Sequence, residues 1–374
     1  MILINLLNQR GAGPSMISNL LINELLKSPK KNKITLVIND NLDQSNIVTE
    51  HDIKVIIIRT FNNKCLDLFY RLLVETIFLP LYCLKTSVKK IIQFGNFCLV
   101  PYLCKTVILI HHPYIHDDKL LKNSSTFTRL KENLIRLIFR INLYFRPNTS
   151  FFCQTEFMKQ SLVKKYKKIH KFINVIPNPL SNAFLKNMSL NYKLIEQNRL
   201  SSISECVNLI YVSRYYPHKN HELLFRLYDL LEKDNINFKL YITVSKKNLP
   251  IKMFQDFSSL EKIILIGELP QSEIKQYMIS SHFHIFPSLS ETFGNSINES
   301  IYLNLPVLTL KKDFAKVLLK ESYFPLLDNL DKASSELYLC QTIPGYYLNY
   351  LTGFNKTKKY FLSPSQWLEK ILSL

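Results

Sequence analysis

The sequence predicts an α/β chain built as two parallel-sheet domains, and three observations predict it. Short apolar runs alternate with helix-like runs along most of the chain, the pattern of strands joined by crossover helices. The alternation breaks once, at Pro177-Asn178-Pro179 and the polar, poorly periodic stretch 181–206, and then restarts. At 374 residues the chain is too long for one ordinary core and suits two.

In the first half, strands are expected at Ile2–Leu7, Ile34–Ile38, Val55–Ile58, Ile91–Phe94, Val107–Ile110, Phe151–Cys153 and Ile173–Ile176. Between them, helical periodicity marks Pro14–Lys27, Leu66–Leu84 with a break near Pro80, Phe127–Tyr144 and Glu156–Lys167. In the second half, strands are expected at Leu209–Val212, Lys239–Thr243, Ile263–Ile266, Phe283–Phe286 and Val307–Leu310. Helices are expected at His221–Leu231, Ser272–Ile279 and Asn295–Leu303, and an amphipathic helix at Ser363–Leu374. Stretch 181–206 is taken as the interdomain linker. The expected domains are 1–178 and 179–355, facing a crevice, with 356–374 returning to the first.

Apolar residues make up 47 % of the chain, so disorder is not expected. The formal charge is +19, which implies a negatively charged partner: nucleic acid, an anionic membrane or a phosphorylated substrate. A compositional bias towards Lys would give the same surplus. There is no aromatic-basic RNA motif, helix-turn-helix pattern or zinc finger, so nucleic acid is not expected. The seven Cys are odd in number and contain no CxxC pair, which predicts reduced thiols with no disulfide framework and no metal site. The opening MILINLLNQRG lacks a basic n-region and a cleavage site, and reads as a buried strand running into a turn. Leu66–Leu84 contains Asp67, Arg71, Glu75 and Pro80, so it reads as a core or interfacial helix and not as a membrane span. The helix at 127–144 places Arg129, Lys131, Arg136 and Arg140 among Leu, Ile and Phe. That is the composition of a helix lying on anionic lipid, and equally of a solvated helix whose apolar side packs inward.

The seven glycines are few enough that each is expected where backbone geometry demands it. Gly294 opens a helix within Ser288-Leu-Ser-Glu291-Thr-Phe293-Gly294-Asn295-Ser296-Ile-Asn-Glu299. Strand, glycine turn and helix start leave free N–H groups around Phe293 to Ser296, an arrangement that suits a diphosphate. Glu291 in the loop and Glu299 on the second turn can face one ligand, where carboxylates take hydrogen bonds from sugar hydroxyls. In Val212-Ser213-Arg214-Tyr-Tyr-Pro-His218-Lys219-Asn220, Arg214 and Lys219 flank a strand-end loop and can clamp phosphate oxygens. In Ile110-His111-His112-Pro113, a strand ends in two imidazoles, placed to bind a substrate hydroxyl or act as general base. Arg10-Gly11-Ala12-Gly13-Pro14 is a glycine turn between strand and helix, neither GxGxxG nor a P-loop. Taken singly, each constellation has an ordinary structural reading.

Together and in this order, they resemble family-4 glycosyltransferases of the GT-B fold, whose two domains are Rossmann-like and doubly wound. Glu291 and Glu299 stand in the two positions of that family's E-x7-E signature, and Arg214 and Lys219 in those of its diphosphate clamp. His111 stands where the family has its strand-end His, VIPNPL resembles the junction, and LIGELPQSEIKQYMISSHFHIFPS resembles the segment lining the base pocket. The resemblance spans about 1–320 as architecture and is specific in 207–310. It implies transfer of a sugar, with retention, from a nucleotide-diphosphate sugar to a glycan or lipid-linked acceptor in O-antigen or other surface-polysaccharide assembly, at the cytoplasmic face of the inner membrane. Glu291 would hold donor-sugar hydroxyls and Glu299 the ribose, with Phe293 beside them. Arg214, Lys219, the amides of Gly294, Asn295 and Ser296 and the Gly11–Gly13 turn would neutralise the leaving diphosphate without a metal or cofactor. His111 would contact the sugar near the reacting carbon. The chain departs from the family at GAGPS, at Ser296 where Pro is common, at Ser300 where Ala is common, and at Lys311-Lys312-Asp313-Phe314, which replaces a Gly-rich loop. A nucleotide-sugar epimerase of the same fold and a non-catalytic basic membrane-binding protein are the rival readings.

Overall fold

The computed structural model describes residues 1–9, 12–40, 53–122, 125–185, 191–247, 249–355 and 361–374. The chain divides into two compact units, Met1–Pro179 with Leu362–Leu374, and Leu180–Phe361.

Unit 1 is a seven-stranded parallel sheet. Its strands are β1 Ile2–Asn5, β2 Ile34–Asn39, β3 Lys54–Ile58, β4 Lys90–Phe94, β5 Lys105–Leu109, β6 Thr149–Cys153 and β7 Ile173–Val175. The order is β3-β2-β1-β4-β5-β6-β7, doubly wound from β1. Strand alternation sorts the core. Ile4, Ile92 and Phe94 join the layer of helix Ala12–Lys27, while Leu3 and Ile91 join the layer containing Val74, Leu79, Phe139 and Leu143. Helix Pro364–Ser373 packs on the first of these layers, with Trp367 fully buried and edge-on to Phe94.

Unit 2 repeats the design with five parallel strands, β8 Val207–Tyr211, β9 Phe238–Ile242, β10 Ile263–Leu265, β11 Phe283–Phe286 and β12 Val307–Thr309. Their order is β10-β9-β8-β11-β12. The carboxyl ends of β8 and β11, which pair directly, carry the two charged loops.

Three expectations are corrected. The supposed linker 181–206 contains helix Tyr192–Ser202, started by Asn191, whose Oδ1 accepts from the Leu194 N–H at 3.1 Å. Its inward anchor is a cation, so apolar periodicity missed it. Arg199 is buried and donates to the carbonyls of Met278 (3.0 Å), Ile279 (3.2 Å), Leu303 (3.3 Å) and Asn304 (2.7 Å). The helix at 66–84 has its expected break near Pro80, in the form of a π-turn at Val74–Phe78 between Lys64–Leu73 and Leu79–Lys85. Pro80 lies just beyond the π-turn and has no N–H to continue the ladder. Helices Ile251–Ser258, Asp313–Leu319, Leu330–Thr342 and Pro344–Asn355 were not anticipated. Gly345 and Gly353 lie inside the last of these, so not every glycine answers a geometric demand.

Candidate functional site

The site in unit 2 begins where β8 and β11 end. The β8 loop is folded by its own residues. Tyr211 Oη donates to the Lys219 carbonyl at 2.6 Å, the Ser213 N–H donates to Thr243 Oγ1 at 2.9 Å, and Asn220 takes the left-handed conformation at φ 56°. His221 is buried against the rings of Tyr211 and Tyr215, and burial pushes its pKa down to about 3, so it packs as a neutral ring. Two hydrogen bonds, one backbone and one from a side chain, then tie this loop to the β11 loop. The Leu289 N–H donates to the His218 carbonyl (2.8 Å), and Asn220 Nδ2 donates to the Pro287 carbonyl (3.3 Å).

That tie brings two of the candidate residues together. Lys219 Nζ lies 2.5 Å from Glu291 Oε2, with both side chains largely buried. Glu291 Oε1 also accepts from the Thr292 N–H at 3.1 Å. Burial alone would raise the Glu291 carboxyl, but the Lys219 ammonium and these hydrogen bonds hold it below the usual carboxylate range. It is ionised at neutral pH. Lys219 also stands over the Phe286 ring, 5.5 Å from its centre.

Gly294 caps helix Asn295–Tyr302 at φ 69°. A Cβ there would lie 3.1 Å from Leu318 and 3.3 Å from Ile297, on top of the strain of a left-handed L-residue. Asn298 fixes the turn from beneath, its Nδ2 donating to the carbonyls of Gly294 (3.0 Å) and Phe293 (3.3 Å). The amides of Asn295 and Ser296 form the helix's first turn. Phe293 is buried.

Glu299 differs from Glu291. It is only 3 % exposed, and no described residue hydrogen-bonds its carboxylate. Burial raises it to about 7. At the next residue, Ser300 Oγ donates to the Ser296 carbonyl (2.9 Å) and lies 2.8 Å from His284 Nδ1. Arg214 is not beside Lys219's carboxylate. Its Nη2 pairs with Glu268, while its Nε is buried without a partner.

In unit 1, Gly95 and Asn96 turn the chain at the end of β4, at φ 143° and 71°. A Cβ on Gly95 would fall 2.2 Å from that of Asn8. Asn96 Oδ1 accepts from the N–H groups of His111 (2.9 Å) and His112 (3.0 Å), which fixes the imidazoles just past β5. His111 Nδ1 is buried and unpartnered, and burial, with His112 nearby, lowers the ring to about 3. A ring that weakly basic is neutral at neutral pH and can donate or accept a hydrogen bond. His112 Nε2 lies 2.9 Å from Glu132 Oε2. Gly11 lies outside the described residues, and Gly13 falls within helix Ala12–Lys27, one residue after its start. No group of His, Cys, Asp and Glu that could hold a metal is found among the described residues, and the seven thiols are free.

Sequence reasoning missed Glu268, Asn298 and His284. Glu268 follows Gly267 at a strand end, the same signal that singled out other loops, but a lone carboxylate carries no spacing cue. Asn298 and His284 act through backbone and hydroxyl contacts that only the fold assembles.

The solved structures decide the architecture. The chain aligns with WaaG, a glycosyltransferase involved in lipopolysaccharide biosynthesis, at TM-score 0.70 and 13 % identity over 99 % of both chains. It aligns with HepE of Anabaena, solved with UDP and glucose, at TM-score 0.68 and 13 % identity over 100 % of this chain and 98 % of that one. The fold is GT-B. A putative UDP-N-acetylglucosamine 2-epimerase from Listeria monocytogenes also shares it, at TM-score 0.60 and 12 % identity over 100 % and 94 %. Residues 196–324, which hold every candidate site residue of unit 2, match the family model for Glycosyl transferases group 1. No curated protein matches the sequence.

Proposed function

We propose that this GT-B chain is a retaining glycosyltransferase that moves a sugar, a hexose in the simplest case, from a nucleotide-diphosphate sugar to a glycan or lipid-linked acceptor. The observation that carries the proposal is the Lys219–Glu291 pair, held by two tied loops beside the Gly294 helix start. A cation, the amides of a helix start and an ionised carboxylate lie together there, which is what a sugar diphosphate requires. Lys219, with Arg214 once it turns from Glu268, and the amides of Gly294, Asn295 and Ser296 take the charge growing on the leaving diphosphate. Glu291 accepts from the donor-sugar hydroxyls, and Glu299 from the ribose. The diphosphate oxygen accepts the proton of the attacking hydroxyl on the same face, and these groups supply the counter-charge without a metal. The acceptor belongs to unit 1, with His111 donating or accepting a hydrogen bond there. Assembly of lipopolysaccharide or another surface polysaccharide at the cytoplasmic membrane face is the setting this chemistry fits. The test is to supply glycan and lipid-linked acceptors with a panel of nucleotide sugars and read the product's anomeric configuration by NMR, with and without EDTA. A product of inverted configuration, or activity abolished by EDTA, contradicts the proposal.

The shared fold of the Listeria protein keeps epimerisation as a second reading. Release of an epimerised sugar with no acceptor present would favour it.

A further inference from the structure

We infer that unit 1 docks on an anionic lipid surface through two helices that expose apolar stripes. The inference extends the proposed lipid-linked acceptor but stands on separate observations. In the segment Lys64–Lys85, the residues turned to the sheet include Asp67 and Glu75, both buried. Glu75 accepts from Asn5 Nδ2 at 3.0 Å, and Arg71 Nε lies 3.8 Å from its other oxygen. The outward side is apolar instead: Phe69 is 61 % exposed and Leu84 64 %, with Leu73, Ile77 and Leu81 between them. The π-turn at Val74–Phe78 and Pro80 do not break this face, because Ile77, Phe78 and Leu81 all remain exposed.

Helix Thr126–Phe145 also buries charge and exposes an apolar stripe. Glu132 and Arg136 are buried, with Arg136 donating to the Tyr114 carbonyl at 2.8 Å from Nε and pairing with Asp118 at 2.7 Å. Phe127, Leu130, Leu134, Leu137, Ile141 and Tyr144 are exposed and recur at intervals of three and four, a stripe running the length of the helix. Phe127 and Phe145 at its two ends are each 80 % exposed. Of the two readings open for this helix, the exposed stripe disfavours the solvated helix whose apolar side all packs inward. Both helices pack on the same layer of the sheet, Val74 and Leu79 from one and Phe139 and Leu143 from the other, so their apolar sides face away from the sheet together.

Charge identifies the occupant. Among the described side chains, the exposed positions of the two helices include Lys85, Arg129, Lys131 and Arg140 and no acidic residue, the acids being turned inward. Apolar side chains entering an acyl layer, with cations at its phosphate level, are the composition of an in-plane helix. A second copy of this chain would instead bring like charges against like, with no carboxylate to pair them. The chain's +19 charge acts in the same direction.

The test is sedimentation of the full chain with vesicles of phosphatidylcholine containing phosphatidylglycerol, against phosphatidylcholine alone, at low and high salt. Wild type is expected to bind the anionic vesicles and to release in high salt. Phe69→Glu with Leu134→Glu, both at exposed positions, is expected to reduce binding by about tenfold or more. Arg129→Ala, Lys131→Ala and Arg140→Ala are each expected to reduce it about fivefold at low salt. Nucleotide-diphosphate binding measured on the same samples should not change, and it reports folding. Wild type that stays in the supernatant, binding indifferent to Phe69→Glu with Leu134→Glu, or a dimer lost in that variant with no vesicle binding would each overturn the inference. Loss of nucleotide binding in wild type would instead sink the donor-site reading and leave this one standing.

Discussion

Replacing Glu299 by glutamine isolates one carboxyl whose environment is legible. The carboxyl is 3 % exposed, no described group hydrogen-bonds it, and burial raises it from 4.5 to about 7. The sign follows from where the proton sits. The folded state holds the proton more tightly than the unfolded chain, so this group's contribution is full below about 4.5 and declines as pH rises through about 7. A shift of that size corresponds to about 3 kcal/mol in total, and about 2.5 kcal/mol of it falls between roughly pH 5 and 8.5. Glutamine has the same shape and no charge to bury. The stability of Glu299→Gln relative to wild type, from urea unfolding, should therefore rise by about that amount from the acid to the alkaline end. Parallel curves would refute the reasoning, and a difference that shrinks with pH would reverse it. The same titration reaches the ligand. If ribose hydroxyls donate to the ionised carboxyl, nucleotide binding should strengthen as pH rises through about 7, and the variant should lose that dependence.

Three further outcomes follow from the geometry. Gly294→Ala should cost about 1–3 kcal/mol in urea unfolding, because it adds left-handed strain. Lys219→Met should weaken binding of a nucleoside diphosphate, read by titration calorimetry, by about 10- to 100-fold, the worth of one hydrogen bond to a charged group. Arg199→Met should destabilise unit 2 by about 3 kcal/mol or more in the same unfolding assay, since it strands four carbonyls that the guanidinium now satisfies.

The parallel strands were legible because buried parallel strands are unbroken apolar runs, and β11 begins and ends where its run does. The charged loops were legible for a related reason: Gly, Arg, Lys and Glu at strand ends stand out against such runs. Polar anchoring hid part of the rest. Helix Tyr192–Ser202 is held by Arg199, which apolar periodicity does not register, and the two helices of unit 1 bury Asp67, Glu75, Glu132 and Arg136, so periodicity alone left open which face turns inward. The partners of the site residues were equally hidden. Nothing in the spacing from 214 to 268, or from 112 to 132, indicates that Arg214 meets Glu268 or that His112 meets Glu132.

The measurement closest to the central claim is equilibrium binding of UDP, GDP, ADP and CDP, and of their sugar conjugates, to wild type and Glu291→Gln. Wild type should bind at least one nucleoside diphosphate. Glu291→Gln should keep that affinity within about threefold, since the pair's cation remains, yet lose about 1.5 kcal/mol or more of the added affinity or turnover that the sugar supplies. Wild type that binds none of the diphosphates, or a variant that handles the sugar conjugate as wild type does, would contradict the account.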